Sequence, residues 1–428
     1  MSNTQRTYRI GPYRSICLII AFFSSITPLL CDEIRSNDGH IFKGKIISES
    51  EDSVEFHSDL IGRISLPRTE IKAITYDSPE TSPEPGEFDS VLRTIGAPIQ
   101  EPEDATFDWI MLESGEWLKG DLNSMYSSVL EFDSDKMGIQ EFDWEDVSRI
   151  RTHNSLSVKL DKQDTRSARL IMKDEQIYLD EEKEIKVDKY DAIAIAPDSD
   201  AFLDSLSARL SLSSNFRYGN TDQGDIVFTG WIKRRTAENQ FYADFLSNYS
   251  YLENEVTTEN FRSTSYMDIF WSKRIFLRAV SFEFYRDPLQ NIDQRYTLGT
   301  SLGYYIIDTR KTRWNVTLGP AFEYTVYSSV TAGDSNSERQ LATVFSSELE
   351  HELTKKLDWT STFRAQYSNA AGSGSVYFLN SLEYDITDAI DLDVSLIWDR
   401  VNNPVENNEG LESQEDDLRL TIGIGLGL

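Results

Sequence analysis

Apolar and polar residues alternate strictly along the second half of the chain. The clearest case is the segment 417–428, whose apolar face consists of Leu418, Leu420, Ile422, Ile424, Leu426 and Leu428. The positions between them are polar or glycine. A period of two is typical of a β-strand with one apolar face. Because the same pattern recurs in 295–306 and 313–326, the sequence predicts an all-β region over residues 202–428.

Twelve strands are predicted in this region, beginning near Leu206, Ile226, Gln240, Asn260, Ile275, Arg295, Thr312, Arg339, Leu357, Val376, Ile390 and Leu418. Short connections (235–239, 272–274, 308–311, 353–356 and 387–389) alternate with longer ones (218–224, 252–259, 286–293, 328–338, 369–375 and 400–416). An even number of antiparallel strands with tight turns at one end and longer loops at the other is typical of a bacterial outer-membrane barrel. A soluble β-sandwich has no reason to sort its loops in this way. We therefore predict an antiparallel transmembrane β-barrel.

Aromatic residues are concentrated in the predicted barrel, which holds 33 of the 50 in the chain. Outer-membrane lipid is the expected partner of its outer face, and aromatic side chains should form girdles at both interfaces. The girdle candidates are Tyr296, Tyr304, Trp314, Tyr324, Tyr327, Trp359 and Tyr367. No open sheet edge survives in lipid, so the first strand should pair with the last. The glycines of the last strand are expected to ease curvature there.

The first half of the chain contains a repeat with an offset of 76 residues. Residues 39–74 recur as 115–150 without a gap, so that Lys43-Gly44 matches Lys119-Gly120 and Gly62 matches Gly138. Short strands separated by glycine or acidic turns predict small SH3-like β modules that pack together or share strands. We interpret Gly44 and Gly120 as bends between strands, with a ligand-binding edge as the alternative.

The chain accordingly divides into six parts. These are a signal peptide (1–31), β module 1 (32–76), an acidic Pro-rich linker (77–105), β module 2 (106–152), a degenerate β module 3 (153–201) and the barrel (202–428). Arg6, Arg9 and Arg14 precede an apolar run too short to span a bilayer, which favours secretion. Cleavage is expected after Cys31, and lipidation of Cys31 is the alternative.

Composition excludes several kinds of function. With 72 acidic and 42 basic residues the net charge is −30, which argues against nucleic acid as a partner. Two cysteines cannot form a disulfide scaffold, and the four histidines have no metal-binding spacing. His351 is the only barrel histidine, and Ser347 lies too far along the strand to be activated by it. We expect no enzyme activity, no cofactor and no metal.

Several segments resemble one family. They are the stretch 215–221 (Asn-Phe-Arg-Tyr-Gly-Asn-Thr), the turn Lys233-Arg234-Arg235, the segments 302–309 and 318–320, and the glycine-rich C-terminus. The chain from about Leu203 onwards is similar to the salt-induced outer-membrane protein family, a β-barrel domain of unknown function. Many outer-membrane barrels end in Phe, whereas this chain ends in Leu428. The resemblance implies a fold and a location, and no activity.

The alternation also assigns polar side chains to the interior of the barrel. The candidates for lumen lining are Arg209, Arg217, Glu283, Arg313, Glu323, Arg364, Asp417 and Arg419. They could line a pore that selects solutes by charge. Alternatively, ion pairs between neighbouring strands, such as Arg209 or Arg217 with Asp417, could hold side chains that fill the lumen. Twelve strands make a narrow barrel, so we expect a plugged or very restricted lumen.

These patterns lead to three hypotheses about function. The first is a non-enzymatic outer-membrane barrel with a periplasmic head, related to envelope integrity or to osmotic or salt stress. The second is a narrow, porin-like channel for small solutes. The third is a membrane-anchored binding module whose head holds a periplasmic protein or wall polymer.

Overall fold

The computed structural model describes residues 31–76, 92–95, 106–179, 185–198, 206–217, 222–253, 255–368, 374–387, 390–404 and 414–427. The predicted signal peptide, apart from Cys31, lies outside these residues, as does most of the predicted linker. Within them the regular structure is almost entirely β, with four short 3-10 helices at Arg68–Glu70, Trp144–Asp146, Lys189–Asp191 and Pro288–Gln290. In this part of the chain, no helix is long and apolar enough to cross a membrane.

The strands that precede the barrel form what we call the head. Its strands, among the described residues, are β1 (Asp32–Ser36), β2 (Ile41–Glu49), β3 (Ser53–Ser58), β4 (Gly62–Pro67), β5 (Ile71–Tyr76), β6 (Leu92–Ile95), β7 (Asp108–Leu112), β8 (Trp117–Tyr126), β9 (Val129–Ser134), β10 (Gly138–Asp143), β11 (Val147–Arg151), β12 (Leu156–Leu160), β13 (Arg166–Ala168), β14 (Leu170–Lys173), β15 (Gln176–Leu179), β16 (Ile185–Asp188) and β17 (Ala192–Pro197). Strands β1–β5 and β7–β11 follow the same order, 76 residues apart. In each set the first strand pairs with both the second and the last.

Glycine stands where one strand changes partners. Strand β2 pairs with β1 up to Gly44 and with β3 from Lys45 onwards. A Cβ atom at Gly44 would lie 2.0 Å from the carbonyl oxygen of His57, and one at Gly120 would lie 1.9 Å from that of Asp133. No side chain fits at such a distance from a neighbouring backbone. The close approach of two strands therefore accounts for glycine at both positions.

Most of the buried apolar residues of the head belong to one cluster. Ile34 and Phe56 from the first set of strands, Leu118 from the second and Ile177 and Ile195 from the end of the head belong to a single buried cluster. Strand pairing links the same regions, because β11 pairs with β14 and β17 pairs with β8. The head strands therefore stabilise one another rather than folding around separate cores.

His40 joins two parts of this head and should make its stability depend on pH. Its buried ring stacks on Phe42 at 5.6 Å, and Nδ1 accepts a hydrogen bond of 3.2 Å from the backbone N–H of Lys119. Burial lowers the pKa of His40 to about 4, despite Asp38 at 3.8 Å. The unfolded chain, with a pKa near 6.5, then binds the proton more tightly than the folded chain. The contribution of His40 to the free energy of unfolding is about 3 kcal/mol. It is fully present above pH 6.5 and is lost as the pH falls towards 4.

Hydrogen exchange of head amides in the full chain, compared at several pH values in this window, measures the effect. His40→Gln should remove the extra opening at low pH, whereas His57→Gln, at an exposed position, should keep it. Equal pH dependence in the two variants would contradict the assignment to His40.

Twelve strands after the head close into an antiparallel barrel in which β18 pairs with β29. They are β18 (Leu206–Arg217), β19 (Gln223–Arg235), β20 (Asn239–Leu252), β21 (Glu255–Phe270), β22 (Ile275–Asp287), β23 (Ile292–Asp308), β24 (Thr312–Tyr327), β25 (Ser337–Thr354), β26 (Leu357–Ser368), β27 (Gly374–Asp385), β28 (Ile390–Asn402) and β29 (Asp416–Gly427). The predicted fold class is confirmed, and each strand begins within five residues of its predicted start.

Polar residues are buried in the barrel and apolar residues are exposed, which is the reverse of a water-soluble protein. On the outer face Leu420 is 70% exposed and Leu341 is 66% exposed. On the inner face Glu283 and Asp399 are each only 3% exposed. The alternation along each strand therefore sends apolar side chains outwards and polar side chains into the bore.

Two predicted details of the barrel wall are wrong. The segments 252–259 and 286–293 are not long loops, because β20 and β21 stay paired up to Leu252 and Glu255 and a 3-10 helix fills the second segment. Backbone pairing needs no apolar face, so polar residues continue the hairpin. Tyr327 is not a girdle residue, because it shares the inward face with Glu323 and its hydroxyl donates to Glu338 at 2.9 Å.

Candidate functional site

The bore is crossed by a chain of ion pairs that we call the crossbar, formed by Arg262, Glu283, Arg364, Asp399 and Arg419. Arg262 donates to Glu283 at 3.0 Å and to Asp399 at 2.5 Å. Arg364 donates to Glu283 at 2.7 Å, and Arg419 donates to Asp399 at 2.8 Å. Arg262 and Asp399 lie on the fourth and eleventh of the twelve barrel strands. These side chains therefore meet across the interior and not only between neighbouring strands.

Aromatic rings hold the centre of the crossbar in place. The guanidinium of Arg262 lies 4.5 Å from the ring centroid of Tyr285 and 4.3 Å from that of Tyr377. Both rings offer their faces to the cation, which restricts its position in addition to the two ion pairs. A guanidinium with this many fixed partners blocks the bore more firmly than a mobile side chain.

A second group of ion pairs lies towards the short-turn end. Arg278 donates to Asp268 at 2.8 Å and to Glu348 at 3.0 Å, and it stacks on Tyr266 at 3.5 Å. Strands β21, β22 and β25 supply these groups. The bore is therefore narrowed at more than one level.

Arg209 joins the first strand of the barrel to the last part of the wall. It pairs with Glu383, with Asp391 at 2.5 Å and with Asp393 at 3.3 Å, reaching over β29 to strands β27 and β28. The predicted pair of Arg209 with Asp417 is wrong, because Asp417 pairs with Arg419 on its own strand at 3.2 Å. Arg209 can reach further because the inner face of β29 carries glycines at this level.

Those glycines make room for side chains of the neighbouring strands. A Cβ atom at Gly425 would lie 2.1 Å from Oδ1 of Asp391, and one at Gly423 would lie 1.9 Å from Oγ of Ser213. Within the described part of the chain, the closing pair β18–β29 contains four residue pairs, from Arg209 opposite Gly427 to Leu212 opposite Ile424. Since this seam is short, the ion pairs of Arg209 across it reinforce the closure.

Two of the remaining predicted lining residues, Arg313 and Glu323, lie on the same inward face. Arg313 is near the short-turn end, and Glu323 is near the opposite end, where it accepts hydrogen bonds from Gln340 and Gln366. The backbone of Arg217 ends β18, and its side chain lies outside the described residues. Sequence reasoning missed Arg262, Arg278 and Glu348, although each occupies an inward position of the alternating pattern.

The head covers the short-turn mouth of the barrel. The turn between β8 and β9 enters this mouth, where the Tyr126 ring lies 4.5 Å from the Arg235 guanidinium. The Ser127 hydroxyl accepts a hydrogen bond of 2.7 Å from Arg313. The backbone N–H of Lys273 also donates a hydrogen bond of 3.3 Å to Asp161 in the head. The end of the bore that has short turns is therefore occupied by the chain's own head.

A cavity of about 1170 Å³ lies between the head and the crossbar. Tyr126 and Ser127 bound it on the head side, and Arg262 and Glu283 reach it from the crossbar. Polar and charged side chains from most of the barrel strands line the space between them. The molecule thus contains a chamber, lined by many polar and charged side chains, between its head and the crossbar.

Neither metal-binding nor hydrolytic groups come together in the part of the chain that is described. No group of three or more metal-ligating residues is present there. His351 faces outwards and shares a hydrogen bond of 2.8 Å with the Thr312 hydroxyl, while Ser347 accepts one of 3.0 Å from Trp314. The bore, its mouth and the chamber are therefore the candidate functional site.

The family model described as "Protein of unknown function, DUF481" matches residues 210–427, which is half of the chain. The chain belongs to this family. The resemblance seen in the sequence, to a barrel family of unknown function, is confirmed. No curated protein matches the chain.

Several solved structures are similar to the barrel part. A NanC porin is 10% identical with a TM-score of 0.32, covering 52% of this chain and 100% of its own. The translocator domain of the autotransporter NalP from Neisseria meningitidis is 10% identical with a TM-score of 0.31, covering 52% and 86%. The outer-membrane channel DcaP of Acinetobacter baumannii is 11% identical with a TM-score of 0.25, covering 75% and 94%. At these values the likeness carries no argument about what this chain binds or transports.

Proposed function

We propose that this protein is a non-enzymatic outer-membrane barrel, closed in its resting form, that contributes to the integrity of the envelope under osmotic or salt stress. The crossbar carries the proposal, because its ion pairs fill the bore of a barrel whose outer face is apolar. An exposed band of leucine and aromatic side chains is what a lipid-facing wall requires. A closed bore suits a protein that strengthens the membrane without leaking ions.

The proposal places the head in the periplasm. The head contacts Arg235, Lys273 and Arg310, all at short turns of the barrel. In bacterial outer-membrane barrels the short turns face the periplasm and the longer loops face outwards. A head on the short-turn end is therefore a periplasmic head.

Membrane fractionation and bilayer recording test this function with the full chain. We expect recovery in the outer-membrane fraction and no reproducible current from purified, folded protein in planar bilayers. Recovery in the soluble periplasm would overturn the membrane barrel. Steady single-channel current would overturn the closed state.

A narrow solute channel is the second candidate, and the polar chamber favours it. A space of about 1170 Å³ lined by charged groups offers room for a solute behind the crossbar. This function requires the crossbar or the head to move. A current in wild-type protein that increases on loss of crossbar residues would distinguish a gated channel from a permanently closed wall.

A further inference from the structure

Three cationic side chains meet at the mouth of the chamber: Lys233, Arg235 and Arg313. The first two lie on β19 and the third lies on β24, and all three line the chamber. They are close enough for their charges to repel one another. Like charges brought together out of bulk water are costly unless counter-charges neutralise them.

The protein satisfies the hydrogen-bonding groups of these three cations only in part. Glu350 lies 3.4 Å from Arg313, with more than half of its side chain exposed, and Asp308 lies 3.8 Å away. The Nε atoms of Arg235 and Arg313 are buried without a hydrogen-bond acceptor. Lys233 makes no hydrogen bond or close ion pair with any residue of the described ranges. Donor groups of Arg235 and Arg313 therefore remain available at this end of the chamber.

A neutral hydroxyl of the head is the acceptor that two of these cations share. Oγ of Ser127 accepts hydrogen bonds from Arg313 at 2.7 Å and from Arg235 at 3.5 Å, and the residue is 7% exposed. A hydroxyl oxygen satisfies these donors without neutralising their charge. A ligand oxygen that carried negative charge would bind the same guanidinium groups more strongly.

We propose that the chamber binds a small anion, organic or inorganic, with Lys233, Arg235 and Arg313 as its contacts and the Ser127 hydroxyl as the group that it displaces. A carboxylate or phosphate presents two or more oxygens to the two guanidinium forks and the ammonium group. The chamber has room for such a solute together with water. This inference goes beyond the proposed function, because it holds whether or not the bore conducts.

Because Ser127 belongs to the head, binding at this site also acts on the contact between head and barrel. An anion that takes over the guanidinium groups removes both hydrogen bonds to the β8–β9 turn. The stacking of Tyr126 on Arg235 depends on the same side chain. Anion binding should therefore loosen the head from the mouth, which links a solute to the closure of the barrel.

Calorimetric titration of the full chain in detergent tests the site. The probes are inorganic phosphate and citrate, with sucrose as a neutral control, at constant ionic strength because salt screens such contacts. We expect saturable binding of an anion and none of sucrose. Binding of phosphate alone would identify a phosphate site, and binding of citrate alone would identify a carboxylate site. Absence of saturable binding of both anions up to about 10 mM would overturn the proposal.

Matched variants assign the binding to the three cations. Arg313→Gln should weaken binding by roughly tenfold or more, since it removes a charged hydrogen bond. Arg295→Gln is the control, because this buried inward arginine lies outside the chamber lining. Ser127→Gly should tighten binding several-fold, and glycine suits the φ of 52° at that position. Equal weakening by the two arginine variants, or no gain with Ser127→Gly, would contradict the site.

Discussion

Glu283→Ala is expected to open the bore and to destabilise the barrel by about 3 kcal/mol, because it removes a carboxylate partner from two buried arginines. Glu283 accepts from both Arg262 and Arg364 and is 3% exposed. Single-channel recording in planar bilayers should detect current that the wild type lacks. Samples heated to a series of temperatures and run on a gel should lose the folded band at a lower temperature than the wild type.

Glu323→Ala is the matched control for this change. Glu323 is equally buried and faces the same interior, but it accepts hydrogen bonds from Gln340 and Gln366 on nearby strands and takes no part in the crossbar. It should lower stability without producing current. If both variants conduct equally, or if neither does, the crossbar does not close the bore.

Gly425→Val is expected to cause the second large effect, a loss of correctly closed barrel. The new side chain would begin 2.1 Å from Oδ1 of Asp391 and would separate that carboxylate from Arg209. Overpacking alone costs about 1–3 kcal/mol, and the broken ion pairs add to this. Because four pairs of described residues hold β18 against β29, the damage should appear as a smaller folded fraction in the outer membrane.

Gly333→Ala provides the comparison for the seam. Gly333 lies between β24 and β25, and an added Cβ atom there meets nothing within 4 Å, although its φ of 107° makes alanine locally strained. The folded fraction should remain near that of the wild type. A normal yield of folded Gly425→Val protein would show that the seam tolerates a side chain at this position.

The strands could be predicted from the sequence because lipid and water impose opposite demands on the two faces of a barrel wall. Leu420 and Arg419 are adjacent in the chain, and their different character alone assigns them to opposite sides. This local rule also placed Glu283 and Arg364 in the interior. It needs no knowledge of which strands lie opposite each other.

The pairing of charges in the bore could not be predicted in the same way. Arg262 and Asp399 are 137 residues apart and meet only because closure brings β21 and β28 to facing walls. The expected partner of Arg209 was wrong for a related reason: the reach of its side chain depends on Gly425 in the strand between. The contact of Ser127 with Arg313 depends on how the head is placed on the barrel. The alternating pattern of the sequence contains no information about that placement.

The main buried cluster of the head has a consequence for how such a protein can change in length. In a chain of independently folded modules, one module can be lost or gained while the others keep their structure. Here the last strands of the head pair with β8 and β11, so their deletion would expose apolar side chains of the second set of strands. Exchange of the protected amides should occur in one concerted opening across the head, as in a single cooperative unit.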